Sequence, residues 1–203
     1  METVYTIGYA GFPLPQFLSL LRHWGISALV DVRSQPHSQY FSEYNRENLS
    51  LSLHREGIYY RNYAREFGAR QTDPAFRSPG GYLDFELFAA SPQFREGVEK
   101  LAKSMTQGYR FALMCAEKDP IRCHRAILVS RAFSTAGYSV VHLMPQGSTC
   151  TQGDLERRLV DRYFPDRDQV SLFGTGMSEE DYVAEAYRKQ NAAIGYTMEE
   201  AEE

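Results

Sequence analysis

The side chains with the most obvious chemistry lie in one short segment, MCAEKDPIRCHR, which runs from Met114 to Arg125. Cys115 is a candidate nucleophile, and Glu117 is a candidate general acid or base. His124 can transfer a proton, because imidazole titrates near neutral pH. Taken singly these residues also have structural roles, such as a Cys115 thiol in the core or an ion pair between Glu117 and Arg125. Taken together they predict a catalytic site.

Three arginines offer guanidinium groups that can bind a phosphate or a carboxylate. The pair Asp119-Pro120 predicts the start of a helix over residues 119–137, with Cys123 near its N-terminus. Arg122 and Arg125, three residues apart, would then face one ligand. Arg33 would approach the same ligand from a neighbouring loop, so we predict that these three arginines bind an anion.

The same segment has a partial likeness to cysteine-dependent phosphatases and rhodanese-like transferases, which place a cysteine between a strand and a helix. The gap between Cys115 and Arg122 is one residue longer than in the phosphatases. Glu117 and Asp119 would also repel a phosphate dianion. A cysteine-dependent transferase or phosphatase-like enzyme is therefore kept only as an alternative.

A zinc site would draw on Cys115, Cys123 and His124. The chain has no C-x-x-C pair, and Cys150 is too isolated in the sequence to be an obvious fourth ligand. We therefore expect neither a metal nor a cofactor.

Five segments rich in β-branched and apolar residues predict five strands. They cover residues 2–8, 27–32, 58–60, 110–115 and 138–143, and helical patterns separate them. Such alternation predicts a three-layer α/β fold, with a doubly wound, mostly parallel sheet of about five strands between flanking helices.

In such a sheet, ligands bind outside the carboxyl ends of the strands. The second predicted strand delivers Asp31 to that edge, so Asp31 is another candidate general acid or base. The other residues expected to bind substrate at this edge are Gly8, Tyr9, Ser38 and Tyr60.

Four motifs together resemble the bacterial domain-of-unknown-function family 488 over residues 1–165. They are TIGYA at 6–10, VDVRSQPHS at 30–38, GIYY at 57–60 and CAEKDPIRCHR at 115–125. The resemblance implies an α/β fold, but it brings no established reaction. The family usually has TIGYS and LGGR, whereas this chain has Ala10 and FGAR at 67–70, so no hydroxyl role at position 10 is implied.

Charge divides the chain into two parts. Of its 26 acidic and 22 basic residues, 10 acidic and 3 basic ones lie from Asp166 onward. Residues 1–165 therefore carry a net charge of +3 and residues 166–203 a net charge of −7. We expect an α/β domain over 1–165 and an acidic extension over 166–203, with a final helix from Ser178 to Gly195.

Aromatic and basic residues alternate after the third predicted strand, where Tyr59, Tyr60 and Tyr63 surround Arg61 and Arg65. A similar group, Tyr40, Phe41, Tyr44 and Arg46, lies in the preceding connection. Aromatic rings stack on bases and guanidinium groups bind phosphates. This pattern favours a nucleotide or nucleic-acid partner.

The acidic extension contains a candidate docking peptide, QVSLF at 169–173. It resembles the Q-L-S/D-L-F peptide by which many bacterial replication and repair proteins bind the sliding clamp. Gln169, Leu172 and Phe173 would fill adjoining pockets of the clamp while the backbone stays extended.

The sequence has no apolar run of membrane-spanning length and no secretion signal, so we expect no membrane partner. Its three cysteines, an odd number, argue against a disulfide scaffold and favour a cytoplasmic location. We expect an enzyme that acts on a nucleotide or on a base in nucleic acid. The main alternative is a non-catalytic binding module recruited to replication or repair, and in the simplest alternative the cysteine cluster only stabilises the fold.

Overall fold

The computed structural model describes residues 2–167 and 177–202. Its centre is a single sheet of six strands in the order β3-β2-β4-β1-β5-β6. The first five strands are parallel, and β6 pairs antiparallel with β5 at one edge. The strands are β1 (Thr3–Gly8), β2 (Ala28–Asp31), β3 (Tyr59–Asn62), β4 (Phe111–Cys115), β5 (Ser139–Leu143) and β6 (Thr149–Thr151).

The predicted α/β fold with a mostly parallel sheet is confirmed. The sheet has one strand more than expected, because the short polar segment of β6 shows no apolar pattern and pairs only at an edge.

Helices cover both faces of the sheet. The α-helices are α1 (Leu14–His23), α2 (Arg46–Arg55), α3 (Ala64–Phe67), α4 (Phe85–Ala89), α5 (Pro92–Thr106), α6 (Arg131–Thr135), α7 (Gln152–Tyr163), α8 (Glu179–Ile194) and α9 (Met198–Glu202). Short 3-10 turns cover Ser42–Tyr44, Pro74–Phe76, Pro120–Arg122 and Pro145–Gly147. In the described ranges, every helix is too short or too polar to cross a lipid bilayer.

Alternate residues of the central strands point to opposite faces, as the pleat requires. On one face, Ile7 and Met114 pack with apolar side chains of α1 and α2 such as Phe17 and Leu53. On the other face, Leu113 and Val4 pack with the remaining helices through side chains that include Phe67, Phe94, Phe133, Leu155 and Tyr187. The connection after β2 leads to one edge of the sheet and the connection after β4 leads to the other. The chain ends of β2 and β4 therefore form a switch point where a crevice can open.

The helix predicted over residues 119–137 is wrong in its first part. The Asp119 carboxylate accepts a hydrogen bond from the Ile121 N–H, but it caps only one 3-10 turn. Cys123 then adopts an extended backbone, with φ −131° and ψ 133°. The helix restarts as a π-helical segment over Arg125–Ser130, in which the Ser130 hydroxyl donates to the Arg125 carbonyl, and continues as α6. Such π-helical segments often occur at functional sites.

The helix predicted from Ser178 to Gly195 forms as α8, but it is not the final helix, because the short helix α9 follows it. Ser178 and Asp181 make reciprocal hydrogen bonds that cap its first turn, and Gly195 follows its last residue. Tyr187 packs within the core cluster on that side of the sheet. Two polar side chains fix the far end of α8, because Gln190 donates to the Ile121 carbonyl and Asn191 donates to the Leu83 carbonyl. Gln169, Leu172 and Phe173 of the predicted clamp peptide lie outside the described residues.

Candidate active site

A crevice opens at the carboxyl ends of β2 and β4 and has a volume of about 150 Å³. Its floor consists of Cys115, Glu117 and His124, and its walls of Arg33, Ser34, Gln35, His37, Ala69, Arg70 and Tyr196. A larger cavity of about 540 Å³ lies between α7 and α8, but none of the predicted site residues that the structure describes lines it. The small crevice is therefore the candidate active site.

Two thiols and one carboxylate meet in this floor. The Glu117 Oε2 atom lies 3.2 Å from the Cys115 sulfur and 2.9 Å from the Cys123 sulfur. The His124 Nδ1 atom lies 3.8 Å from the Cys115 sulfur. Both thiols and the imidazole are buried. Cys115 reaches the group from the end of β4, whereas the extended backbone of Cys123 turns its side chain back towards the strand.

A backbone contact fixes the orientation of the His124 ring. Its Nε2 atom lies 3.0 Å from the carbonyl oxygen of Val32, beyond the end of β2. Because a carbonyl oxygen only accepts hydrogen bonds, Nε2 carries a proton in this contact. In the neutral ring, the lone pair of Nδ1 then points towards the thiols.

The pKa values of the four side chains in the cluster differ from those of the same groups in water. Burial, together with the charge on Cys123, raises the pKa of Glu117 to about 7. A hydrogen bond to Cys123 and burial raise the pKa of Cys115. Although burial works against it, the hydrogen bond from Cys115 and the charge of Arg125 lower the pKa of Cys123. Burial likewise opposes the imidazolium, but the hydrogen bond to Cys123 raises the pKa of His124. The cluster thus favours a thiolate at Cys123.

Arg125 anchors the loop above the cluster. It is fully buried, and its Nη1 and Nη2 atoms donate to the backbone carbonyls of Glu117 (2.5 Å) and Lys118 (3.4 Å). The ion pair with Glu117 considered from the sequence is therefore replaced by bonds to the main chain. Arg125 does not line the crevice.

The expectation that Arg122 and Arg125 face one ligand is wrong, because the helix that would align them does not form. Arg122 is exposed in a separate groove, which it shares with Asp119 and Arg158. Of the three predicted anion-binding arginines, Arg33 alone lines the crevice.

Asp31 holds Arg33 in place. The Asp31 carboxylate accepts bonds from Nε and Nη2 of Arg33, with Nη2 at 2.6 Å, and from the Tyr60 hydroxyl at 2.7 Å. Although burial works against it, the hydrogen bonds with Asp31 raise the pKa of Arg33. Asp31 is fully buried and Tyr60 is half-buried, and neither lines the crevice. The sequence predicts proton transfer by Asp31 and substrate binding by Tyr60. In the structure, Asp31 instead holds the Arg33 guanidinium, and Tyr60 holds Asp31.

One nitrogen of Arg33 stays uncommitted. Its Nη1 atom is buried and has no hydrogen-bond partner within residues 2–167 and 177–202. The guanidinium lies over the ring of Tyr9, with 5.1 Å between its central carbon and the ring centroid. Tyr9 in turn stacks on Tyr44, with the ring centroids 4.4 Å apart. A ligand in the crevice could accept a hydrogen bond from Nη1.

The remaining predicted substrate-binding residues support the walls from behind. Gly8 lies against the main chain of Glu117, and Tyr9 lies beneath Arg33. The Ser38 hydroxyl accepts a bond from the Phe41 N–H, which closes a turn in the loop after β2. None of the three lines the crevice.

Six crevice residues were not predicted as site residues from the sequence: Ser34, Gln35, His37, Ala69, Arg70 and Tyr196. Arg70 lies over the ring of Tyr196, 5.0 Å from its centroid. Tyr196 follows α8, and its carbonyl accepts bonds from the Leu83 N–H and the Arg77 guanidinium. His37 lies within the motif VDVRSQPHS, and Arg70 ends the segment FGAR that differs from the usual LGGR, but neither residue was predicted as a site residue. Tyr196 has no such signal, because it reaches the crevice only through the packing of α8.

The chain was compared with protein families, curated proteins and solved structures. A family model described as "Domain of unknown function DUF488" matches residues 13–132. This range contains the segment from Cys115 to His124, which forms the crevice floor, and the loop that carries Arg33. No curated protein and no solved structure matches the chain. Because the family model covers more than half of the 203 residues, the chain belongs to the DUF488 family.

Proposed function

We propose that the protein is an enzyme that acts on a nucleotide or on a base within nucleic acid, and that the reacting group enters the crevice. One observation carries the proposal. Cys115, Glu117 and His124 line the same small crevice as Arg33 and Arg70. Nucleophilic and proton-transferring groups are thereby combined with groups that bind anions.

Glu117 is the group best placed for proton transfer. Within the described residues, it is the only carboxylate that lines the crevice. It contacts both thiols, while its main chain is fixed by Arg125. Fixed geometry of this kind favours general acid–base catalysis, because the carboxylate needs no reorganisation when the proton moves. Cys115 lies beside it and is the candidate nucleophile. Because the pKa of Cys115 is raised, Glu117, to which the thiol donates a hydrogen bond, would have to accept its proton first.

The basic side chains that line the crevice suit a phosphate ligand. Arg33 offers the uncommitted Nη1 donor, and Arg70 and His37 add further donors. Guanidinium groups bind phosphate oxygens through charge-assisted hydrogen bonds. This arrangement favours an anionic ligand over a neutral one.

The size of the crevice limits what can enter. Its volume of about 150 Å³ is smaller than the roughly 300–1,000 Å³ typical of pockets that enclose a whole ligand. A base edge or one phosphate would enter while the rest of the ligand stays outside. Tyr40 is 89% exposed and lies three residues after His37, so its ring is available for stacking on that outer part.

Ligand screening followed by product analysis tests the proposal. Nucleosides, nucleotides and short oligonucleotides are screened by thermal shift, and mass spectrometry then identifies products. We expect Glu117→Gln to bind the same ligand without converting it. Glu47→Gln, which changes an exposed carboxylate on α2, is the matched control and should convert the ligand normally. Arg70→Ala should weaken binding, most strongly at low salt.

Three results would contradict the proposal. Full turnover by Glu117→Gln would remove the assigned proton-transfer group. Saturable binding by the native protein without any product after long incubation would replace the enzyme with a binding module. The absence of binding by any nucleotide or oligonucleotide would exclude this ligand class.

A further inference from the structure

Three metal-binding atoms converge at the crevice. One ligand atom from each of Cys115, Cys123 and His124 lies within 4.8 Å of the others. In a tetrahedral zinc site with bonds of about 2.0–2.3 Å, ligand atoms are roughly 3.3–3.8 Å apart. The Cys115 sulfur and His124 Nδ1 are separated by 3.8 Å. Only small side-chain shifts would be needed to close the three donors around one ion.

The Glu117 carboxylate lies next to both sulfurs without belonging to the converging set of three ligands. Its Oε2 atom lies 3.2 Å and 2.9 Å from the two sulfurs. Cys150 lies on the edge strand β6, outside the cluster, and is not a ligand of this site. The lack of a C-x-x-C pair is also accounted for, because the extended backbone of Cys123 brings it to Cys115 across the loop.

The orientation of His124 is that of a metal ligand. Its Nε2–H donates to the Val32 carbonyl at 3.0 Å, which leaves Nδ1 directed at the thiols. Histidines that bind metals almost always donate their other ring N–H to a carbonyl or carboxylate, because this bond fixes the ring and its tautomer. The contact is made across the sheet, from the loop after β4 to the residue after β2.

The donor chemistry selects the metal. Two thiolates are soft ligands, which magnesium and calcium avoid and which zinc accepts together with imidazole and carboxylate. The cluster is buried, but Cys115, Glu117 and His124 line the crevice, so an ion has a path from solvent.

We propose that Cys115, Cys123 and His124 bind one Zn²⁺ ion, with the Glu117 carboxylate next to the two sulfur ligands and the fourth coordination position left for a ligand from the crevice. A His/Cys/Cys zinc site beside a glutamate is also the set of groups with which zinc deaminases act on nucleobases. The ion would therefore suit the proposed substrate class. With the ion bound, Cys115 would be a metal ligand and not the nucleophile, and Glu117 would keep its proton-transfer role. Metal binding itself does not depend on the proposed function.

Metal analysis of the full-length chain tests the proposal without any substrate. The native protein and three variants, Cys123→Ser, His124→Ala and Cys150→Ser, are purified without chelators and their zinc content is measured by mass spectrometry. We expect about one zinc ion per chain in the native protein and in Cys150→Ser, and a large loss in the other two. Cys150→Ser is the matched control, because it removes the one cysteine outside the cluster.

A spectroscopic measurement on the native chain guards against variants that fail to fold. The native protein is stripped of metal, titrated with Co²⁺ and followed through the thiolate-to-cobalt charge-transfer absorption. We expect a band that saturates at one equivalent and disappears when Zn²⁺ is added. The proposal is overturned if no band forms, or if Cys123→Ser retains the native zinc content. Zinc binding without nucleotide turnover would leave the metal site standing and contradict only the proposed function.

Discussion

Gly8, at the end of β1, and the backbone carbonyl of Glu117 are in such close contact that no side chain fits between them. A Cβ atom on Gly8 would overlap that carbonyl oxygen and lie 2.9 Å from Nη1 of Arg125. The same Arg125 nitrogen donates to the same carbonyl. One strand end therefore sets the position of the loop that carries the catalytic candidate, and the glycine is required by space rather than by its backbone angle.

Substitution Gly8→Ala should displace the Glu117 loop. The methyl group has no free volume, so we expect a loss of about 1–3 kcal/mol in the free energy of unfolding, together with loss of ligand binding. Urea unfolding and thermal-shift binding measure the two effects. Gly153→Ala, in the first turn of α7, is the control, because among the described residues a Cβ atom there meets only Thr151 Oγ1, at 3.9 Å. That variant should be neutral or more stable by up to about 1 kcal/mol, and an equal loss in both would contradict the packing argument.

Removal of the Asp31 carboxylate should leave the buried positive charge of Arg33 without this ion-pair partner. Arg33 is 5% exposed, and Asp31 is its only ion-pair partner within the described part of the chain. We expect Asp31→Ala to lower the free energy of unfolding by about 3–5 kcal/mol, as is typical when one partner of a buried pair is deleted. Tyr60→Phe removes only one hydrogen bond to the carboxylate and should cost about 1–2 kcal/mol. Chemical denaturation of both variants tests this order, and a smaller loss for Asp31→Ala would contradict it.

The sequence was informative wherever local pattern determines structure. Apolar runs located the parallel strands, and the rule that ligands bind at their carboxyl ends brought Arg33 and Cys115 to one crevice. Helix signals also placed both ends of α8, because Ser178 and Gly195 have strong local preferences. These predictions required no knowledge of long-range packing.

The sequence-based predictions were wrong where contacts between distant segments determine the structure. Asp119-Pro120 signals a helix start, but the local pattern could not show that Cys123 gains a contact with Glu117 by leaving the helix. For the same reason Arg122 was placed beside Arg125. Tyr196 was missed because its position depends on how α8 packs on the body. Tertiary contacts of this kind override local propensity.

Binding of this chain to the sliding clamp through residues 169–173 remains a prediction from the sequence. Replacing Leu172 and Phe173 with alanine should abolish co-purification with the clamp, because both apolar anchors of the peptide would be lost. Replacing Asp166 with alanine, outside the peptide, is the control and should leave recovery unchanged. A pull-down with purified clamp measures both. Equal recovery of the double variant and the native chain would exclude docking through this peptide.

His142, a buried histidine on β5, should make stability depend on pH. Its Nδ1 atom lies 2.7 Å from the Thr6 hydroxyl and its Nε2 atom 3.0 Å from Gln152 Oε1. Burial, followed by the positive charge of Arg125, lowers its pKa from 6.5 to about 3. The weaker charge effects come from Cys123, which raises that pKa, and from Arg158, which lowers it.

The sign of the effect follows from which state binds the proton. Between pH 6.5 and about 3, the His142 side chain is protonated in the unfolded chain but neutral in the folded one. The unfolded state is then favoured as pH falls, so His142 should contribute a loss of about 1.4 kcal/mol per pH unit in the free energy of unfolding across this window. Urea unfolding at a series of pH values measures the slope. His142→Gln should flatten it, whereas His23→Gln, which changes an exposed histidine, should not. An unchanged slope in His142→Gln would show that other groups govern the acid sensitivity of the fold.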